Sequence, residues 1–150
     1  VNAGATNRWT SWHSASLREP KLLGAFIEET LGYEAPFRRH YRHVANDTTL
    51  GGVDLPADSH PLLIWGAANR DPAHFEAPGE FCLDRAEAKG HMSFGHGAHF
   101  FVDAALARLE APIELPMLLD RTSVIEAANV GQWLPSILVC RLERLELAVR

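Results

Sequence analysis

The stretch FGHGAHFFVDAALARLE, residues 94–110, sets two glycines one residue apart in a polar loop and then runs into alanine and leucine at helical spacing. Glycine frees backbone to turn left-handed or to let another group come close, and alanine and leucine favour a helix. The segment therefore predicts a loop that opens a helix over residues 98–111, with Ala104, Ala105, Leu106 and Leu109 as packing positions. Pro112 and Pro116 follow. Each costs about 3 kcal/mol inside a helix, so the helix is expected to end or kink near Pro112.

A second helix is expected over residues 20–33. Pro20 suits a first turn, Leu22, Leu23, Phe26, Ile27 and Leu31 share one face, and Pro36 stops the pattern. Residues 41–56 read as two short strands about the Gly51-Gly52 turn. Residues 61–72 are an apolar segment ending in polar turn residues, and residues 74–85 are irregular. In the tail, alternation at Leu138, Cys140 and Leu142, and again at Leu145, Leu147 and Val149, predicts two strands about a turn near Glu143.

Hydrophobic residues make up 47% of the 150 and charged residues 22%, the balance of one globular domain with a real core. A net charge of −5 gives no footprint for nucleic acid. The apolar run at residues 62–68 is far too short to span a membrane, and a cytoplasmic location is expected. Cys82 and Cys140 form no framework and read as reduced, structural thiols.

His96, His99 and Asp103 are a possible non-haem iron set, two imidazoles and a carboxylate with His99 and Asp103 one helical turn apart. The plainer account makes the histidines polar loop residues and Asp103 a first-turn acid. The remaining histidines are scattered, and no nucleophilic triad or phosphate loop is legible.

From residue 17 onward the order of features resembles the C-terminal, haem-binding region of a bacterial cytochrome P450, with residues 1–16 a truncated or divergent segment. Phe94, Gly95, Gly97, His99, Leu106, Ala107 and Arg108 match that family's haem loop and the helix behind it. GAANRDPAHFEAPGEF is similar to its meander, and FIEETLGYEAPF to the helix carrying its Glu-x-x-Arg, with Glu29 at the glutamate. The resemblance implies a mainly α fold with small β-sheets and a haem cofactor. It also implies an ancestral monooxygenation of a small organic substrate with electrons from a redox partner.

It further implies that Arg42 and His99 contact haem propionates, that Phe94 shields the proximal face, and that Gly95 and Gly97 let the loop approach. The axial thiolate position is Phe101, and Asp103 stands where the family has glycine. Gly32 occupies the helix arginine position and Glu80 the meander arginine position, with Arg85 nearby as a substitute partner for Glu29. Without a partner Glu29 is either exposed or an uncompensated buried charge. Cys82 lies in the meander and reads as structural rather than as a displaced thiolate. The expected function is thus a P450-family C-terminal segment, inactive as a monooxygenase for want of the axial cysteine. The alternative is a non-catalytic scaffold that activates a partner enzyme such as a glycosyltransferase.

Overall fold

The computed structural model describes residues 18–97 and 104–150. Helix α1 spans Pro20–Tyr33, with proline in its first turn and no helical residue beyond Tyr33. Its last helical bond runs from the Glu34 amide to the Thr30 carbonyl, 2.9 Å, two residues ahead of Pro36, as the restriction before proline requires. Leu23 and Ile27, one turn apart, are buried, and so are the carboxylates of Glu28 and Glu29. Those two acids must find partners.

Strand β1 (His40–Tyr41) pairs antiparallel with β4 (Leu62–Leu63), and between them β2 (Thr48–Leu50) and β3 (Val53–Leu55) form a hairpin. Leu50 pairs with Val53, leaving Gly51 and Gly52 as a two-residue loop with φ of 57° and 80°. Positive φ at both positions is the type I′ geometry that glycine adopts without strain. After β4 comes the single turn α2 (Trp65–Ala68), where the buried Trp65 indole donates to His40 Nδ1 at 2.7 Å and ties α2 to β1. An irregular meander with a 3-10 turn at Ala88–Gly90 then leads to the loop at residues 94–97.

Helix α3 spans Ala104–Arg121 and runs through both prolines, so of the end or kink expected near Pro112 the end does not occur; the expected start at residue 98 lies outside the described residues. The prolines deny the carbonyls of Arg108 and Pro112 their usual amide donors. Pro112 is exposed, so water can serve Arg108, while burial of Ala104 near one end and Leu119 near the other anchors the helix on both sides of the prolines. Packing overrides local propensity. Ala105, Leu106 and Leu109, expected as packing positions, are exposed.

The tail also departs from expectation. β6 (Leu145–Val149) is a strand, but it pairs antiparallel with β5 (Ile125–Val130), with a bulge between Ala127 and Asn129. Residues 138–142 supply only single bridges, Val139 to Phe37 and Leu142 to Trp133. The core gathers Leu23, Ile27, Ala35, Val44, Trp65, Phe75, Ala104 and Leu119, joining α1, the meander and the inner side of α3.

Candidate functional site

The loop ahead of α3 turns at Gly95, whose amide bonds to the Met92 carbonyl at 2.9 Å, and both Gly95 and Gly97 have left-handed φ, 74° and 79°. A side chain at either would be strained, so the glycine spacing legible in the sequence has a backbone cause. The half-buried Phe94 ring sits 5.7 Å from the His91 ring and 4.9 Å beneath the Arg108 guanidinium. The guanidinium over the ring face is a cation–π contact that fixes the loop to α3.

Arg108 is itself held by Glu28. Its Nε and one Nη donate to the two carboxylate oxygens at 2.6 and 2.9 Å, a bidentate pair linking α3 to α1. His91, almost wholly buried, completes the cluster with Nε2 3.1 Å from the same carboxylate. The Ser93 amide donates to His91 Nδ1 at 3.2 Å, so Nδ1 carries no proton and Nε2–H donates to Glu28. Burial by itself would push the Glu28 carboxyl up, but the Arg108 bonds and charge, with His91, outweigh it and hold the carboxyl below its ordinary value. Burial pushes His91 down against the pull of Glu28, which keeps the imidazole neutral.

Glu29 serves the meander. Arg85 Nε donates to Oε2 at 2.9 Å and an Nη to Oε1 at 3.1 Å, and the Cys82 amide adds a bond at 2.8 Å. The carboxylate is buried and compensated, so the expectation of an exposed or unpaired Glu29 gives way to the Arg85 alternative. Hydrogen bonding to Glu29 is also the main reason the Arg85 guanidinium holds its proton more tightly than usual. Glu80 contributes only its backbone carbonyl to Arg85, at 2.9 Å. The Cys82 thiol donates to Asp84 at 2.8 Å, which raises its pKa and keeps it a thiol rather than a thiolate ligand.

Beside these pairs, Gly32 faces His91. A Cβ there would lie 3.2 Å from the His91 Cβ, too close without movement of a ring pinned at both nitrogens. Asn69, buried, joins α1 to the loop by donating to the Gly32 carbonyl and Ser93 Oγ while accepting from the Met92 amide. Arg70 donates to the carbonyls of Tyr33 and Pro78 and stacks 4.2 Å over the Tyr33 ring. The loop, meander and α1 thus form one polar framework.

Of the residues singled out in the sequence, Phe94, Gly95 and Gly97 lie together in the loop, and Glu29 and Arg85 meet in the framework beside it. Arg42 follows β1, half-buried, with its guanidinium on the carbonyl of Tyr41 at 3.2 Å. His96 is exposed, and His99, Phe101 and Asp103 lie outside the described residues. Among the described residues no three potential ligands gather to hold a metal ion. Sequence reasoning missed Glu28, His91, Arg108, Asn69 and Ser93 as a network. Arg108 was matched only as a helix position, and the others carry no local pattern.

The cytochrome P450 family model matches residues 7–138. The chain belongs to the cytochrome P450 family. It is 79% identical over 131 residues to Cytochrome P450 144 of Mycobacterium tuberculosis, a match covering 87% of this chain and 30% of that protein. With Cytochrome P450 107B1 of Saccharopolyspora erythraea it is 44% identical over 136 residues, 87% of this chain and 33% of the relative. The solved complex of P450BioI with a hexadec-9Z-enoic acid ligated acyl carrier protein superposes with a TM-score of 0.84 at 36% identity, over 91% of this chain and 36% of that one. Cytochrome P450-153 from Novosphingobium aromaticivorans gives 0.87 at 28% identity, over 98% and 37%. The chain thus spans about a third of the length of the P450s it matches, and its fold is the C-terminal part of theirs.

P450s are haem proteins, and the donor set here does not suit a haem thiolate. Phenylalanine at 101 has no lone pair to offer iron. In the described part of the loop only His96 carries a ligating atom, and it is exposed; Cys82 is a hydrogen-bonded thiol in the meander.

Proposed function

We propose that this chain is the C-terminal segment of a cytoplasmic P450 whose ancestral role was the haem-dependent oxidation of a small organic substrate with electrons from a redox partner. In the form given it is not a competent monooxygenase. The observation that carries this reading is Phe101 at the axial position, reinforced by Asp103, whose bulk and charge stand where the family's loop has glycine. In this reading Arg42 and His99 keep their places at the propionates, Phe94 shields the proximal side, and Gly95 and Gly97 preserve the turn.

The test is to titrate haemin into the chain and into Phe101→Cys, then record reduced, CO-treated spectra. Neither is expected to give the long-wavelength Soret band of thiolate ligation, because in the variant Asp103 still crowds the site. Such a band from the unmodified chain would overturn the reading of Phe101. A strong one from the single substitution would overturn the role given to Asp103.

A second reading, a non-catalytic scaffold that activates a partner enzyme such as a glycosyltransferase, is favoured by one observation. Helix α3 is continuous through both prolines and its Arg108–Glu28 pair is closed, so loss of the thiolate position has not carried the framework with it. Measuring the activity of a candidate glycosyltransferase with and without the chain tests this; no change counts against it.

A further inference from the structure

The pairing of β1 with β4 also gathers two histidines that are far apart in the sequence. Beyond both strands the antiparallel ladder continues, with the Arg42 amide bonded to the Pro61 carbonyl and the Val44 amide to the Ser59 carbonyl, each at 3.0 Å. His43 and His60 face each other between these two bonds, the non-hydrogen-bonded position at which opposed side chains share one face and come closest. Their ring centroids are 5.3 Å apart, with the planes tilted by 46°. Two imidazoles that each reach one ion through a nitrogen about 2.0–2.1 Å away, at a tetrahedral angle, have centroids about 5 Å apart. The ladder therefore holds this pair at the separation that shared coordination requires.

A carboxylate stands behind one of the two rings. His43 Nε2 is 3.0 Å from Asp58 Oδ1. A carboxylate only accepts, so Nε2 carries the hydrogen of that bond and the lone pair of the neutral ring sits on Nδ1. An imidazole that donates one N–H to a carboxylate while its other nitrogen binds an ion is the common arrangement at metal centres, where the carboxylate fixes the ring and raises its basicity. Asp58 is itself fixed: its φ is left-handed at 64°, and its amide bonds to the Val44 carbonyl at 2.8 Å. His43, Asp58 and His60 are all exposed, so an ion reaches them from solvent.

The geometry points to a divalent transition-metal site at His43 and His60, oriented by Asp58 and completed by water. Among the described residues no three potential ligands gather around an ion, so this is a two-nitrogen site with Asp58 acting through His43. Imidazole suits copper and zinc, and the general order of affinities puts Cu²⁺ ahead of Zn²⁺. The bound ion ties the end of β1 to the start of β4 at the base of the β2–β3 hairpin. The site lies apart from the loop at residues 94–97 and does not rest on the reading of Phe101.

The experiment titrates the chain, without an affinity tag, with Cu²⁺ and with Zn²⁺ by calorimetry and records the electron paramagnetic resonance spectrum of the Cu²⁺ form. The tightest site is expected to take one ion per chain, to prefer Cu²⁺, and to show two nitrogen ligands. His43→Ala and His60→Ala are each expected to weaken it at least about tenfold, and Asp58→Asn by about tenfold. His74→Ala and His96→Ala are expected to leave it unchanged. Because the three substituted side chains are exposed, the metal-free thermal midpoints of these variants are expected to stay within about 2 °C of the native chain, which separates lost binding from lost folding. Binding that survives either His43→Ala or His60→Ala overturns the site, as does binding lost on His96→Ala or a spectrum with sulfur ligation. Full affinity in Asp58→Asn overturns the positioning role of the carboxylate.

Discussion

Removing the Arg85 guanidinium would strand a charge rather than merely lose a contact. Its side chain is 11% exposed and that of Glu29 5%, so Arg85→Met leaves a buried carboxylate with a single amide donor. Breaking one side of such a pair costs about 3 kcal/mol or more, whereas replacing both sides with apolar groups can approach neutrality. Urea unfolding is expected to show a large loss for Arg85→Met and a much smaller one for Arg85→Met with Glu29→Leu. A double variant as unstable as the single would mean that the pair does more than cancel charge. His91 belongs to the same scale. Glu28, Arg108 and Glu29 are the charged groups that act on it, and burial lowers its pKa below the ordinary 6.5. The unfolded chain therefore gains a proton before the folded chain does. Stability from this group is complete above about pH 6.5 and falls as pH drops toward the folded value. Glu28, lowered from 4.5, adds a further loss in the same direction at more acid pH. Urea midpoints followed from pH 7.5 to 4 are expected to decline in the native chain from about pH 6.5, and His91→Gln is expected to flatten the upper part of that decline.

At the scale of elements, α1 was legible because each level agreed: a proline suited to the first turn, one apolar face, and a proline to stop it. The β2–β3 turn was legible because Gly51 and Gly52 supply the two left-handed positions such a loop demands. Helix α3 was only half legible. Proline propensity argues for an end or a kink near 112, and no local pattern reveals that Ala104, Leu119 and the Arg108–Glu28 pair hold the helix together beyond it. The β6 partner was hidden for a related reason, since it lies across an irregular segment in β5 while the nearer residues 138–142 carry an equally good alternation. In the site the glycine loop could be read locally. The Glu28–His91–Arg108 cluster could not, because its members come from three separated stretches. The prolines also yield a prediction. Each removes a helical bond, so Pro112→Ala, at the exposed position, is expected to stabilise the chain by at least about 1 kcal/mol by thermal or urea unfolding. Destabilisation would mean that the helix needs a bend there to bring Arg108 onto Glu28.

Across the whole molecule, stability should be distributed unevenly. Polar ties converge on α1: Arg108 from α3, Arg85 from the meander, and Asn69 and Arg70 from the segment after α2. The β5–β6 hairpin has little of this. Five of the six residues of β5 and all five of β6 are exposed, so both faces of the two-stranded ribbon meet water. A two-stranded hairpin without a covered face is marginal by itself. The bonds from the Gly131 amide to the Arg144 carbonyl and from the Ser123 and Val124 amides to the Arg150 carbonyl tie the ends of the two strands to each other rather than to the framework. Local opening of the hairpin therefore leaves the α1 framework intact, and its amides should open with a free energy well below that of global unfolding. Hydrogen exchange followed by mass spectrometry is expected to show residues 125–130 and 145–149 exchanging at least about tenfold faster than residues 23–31 of α1. Equal protection would show that the hairpin is bound into the core more tightly than its exposed faces allow.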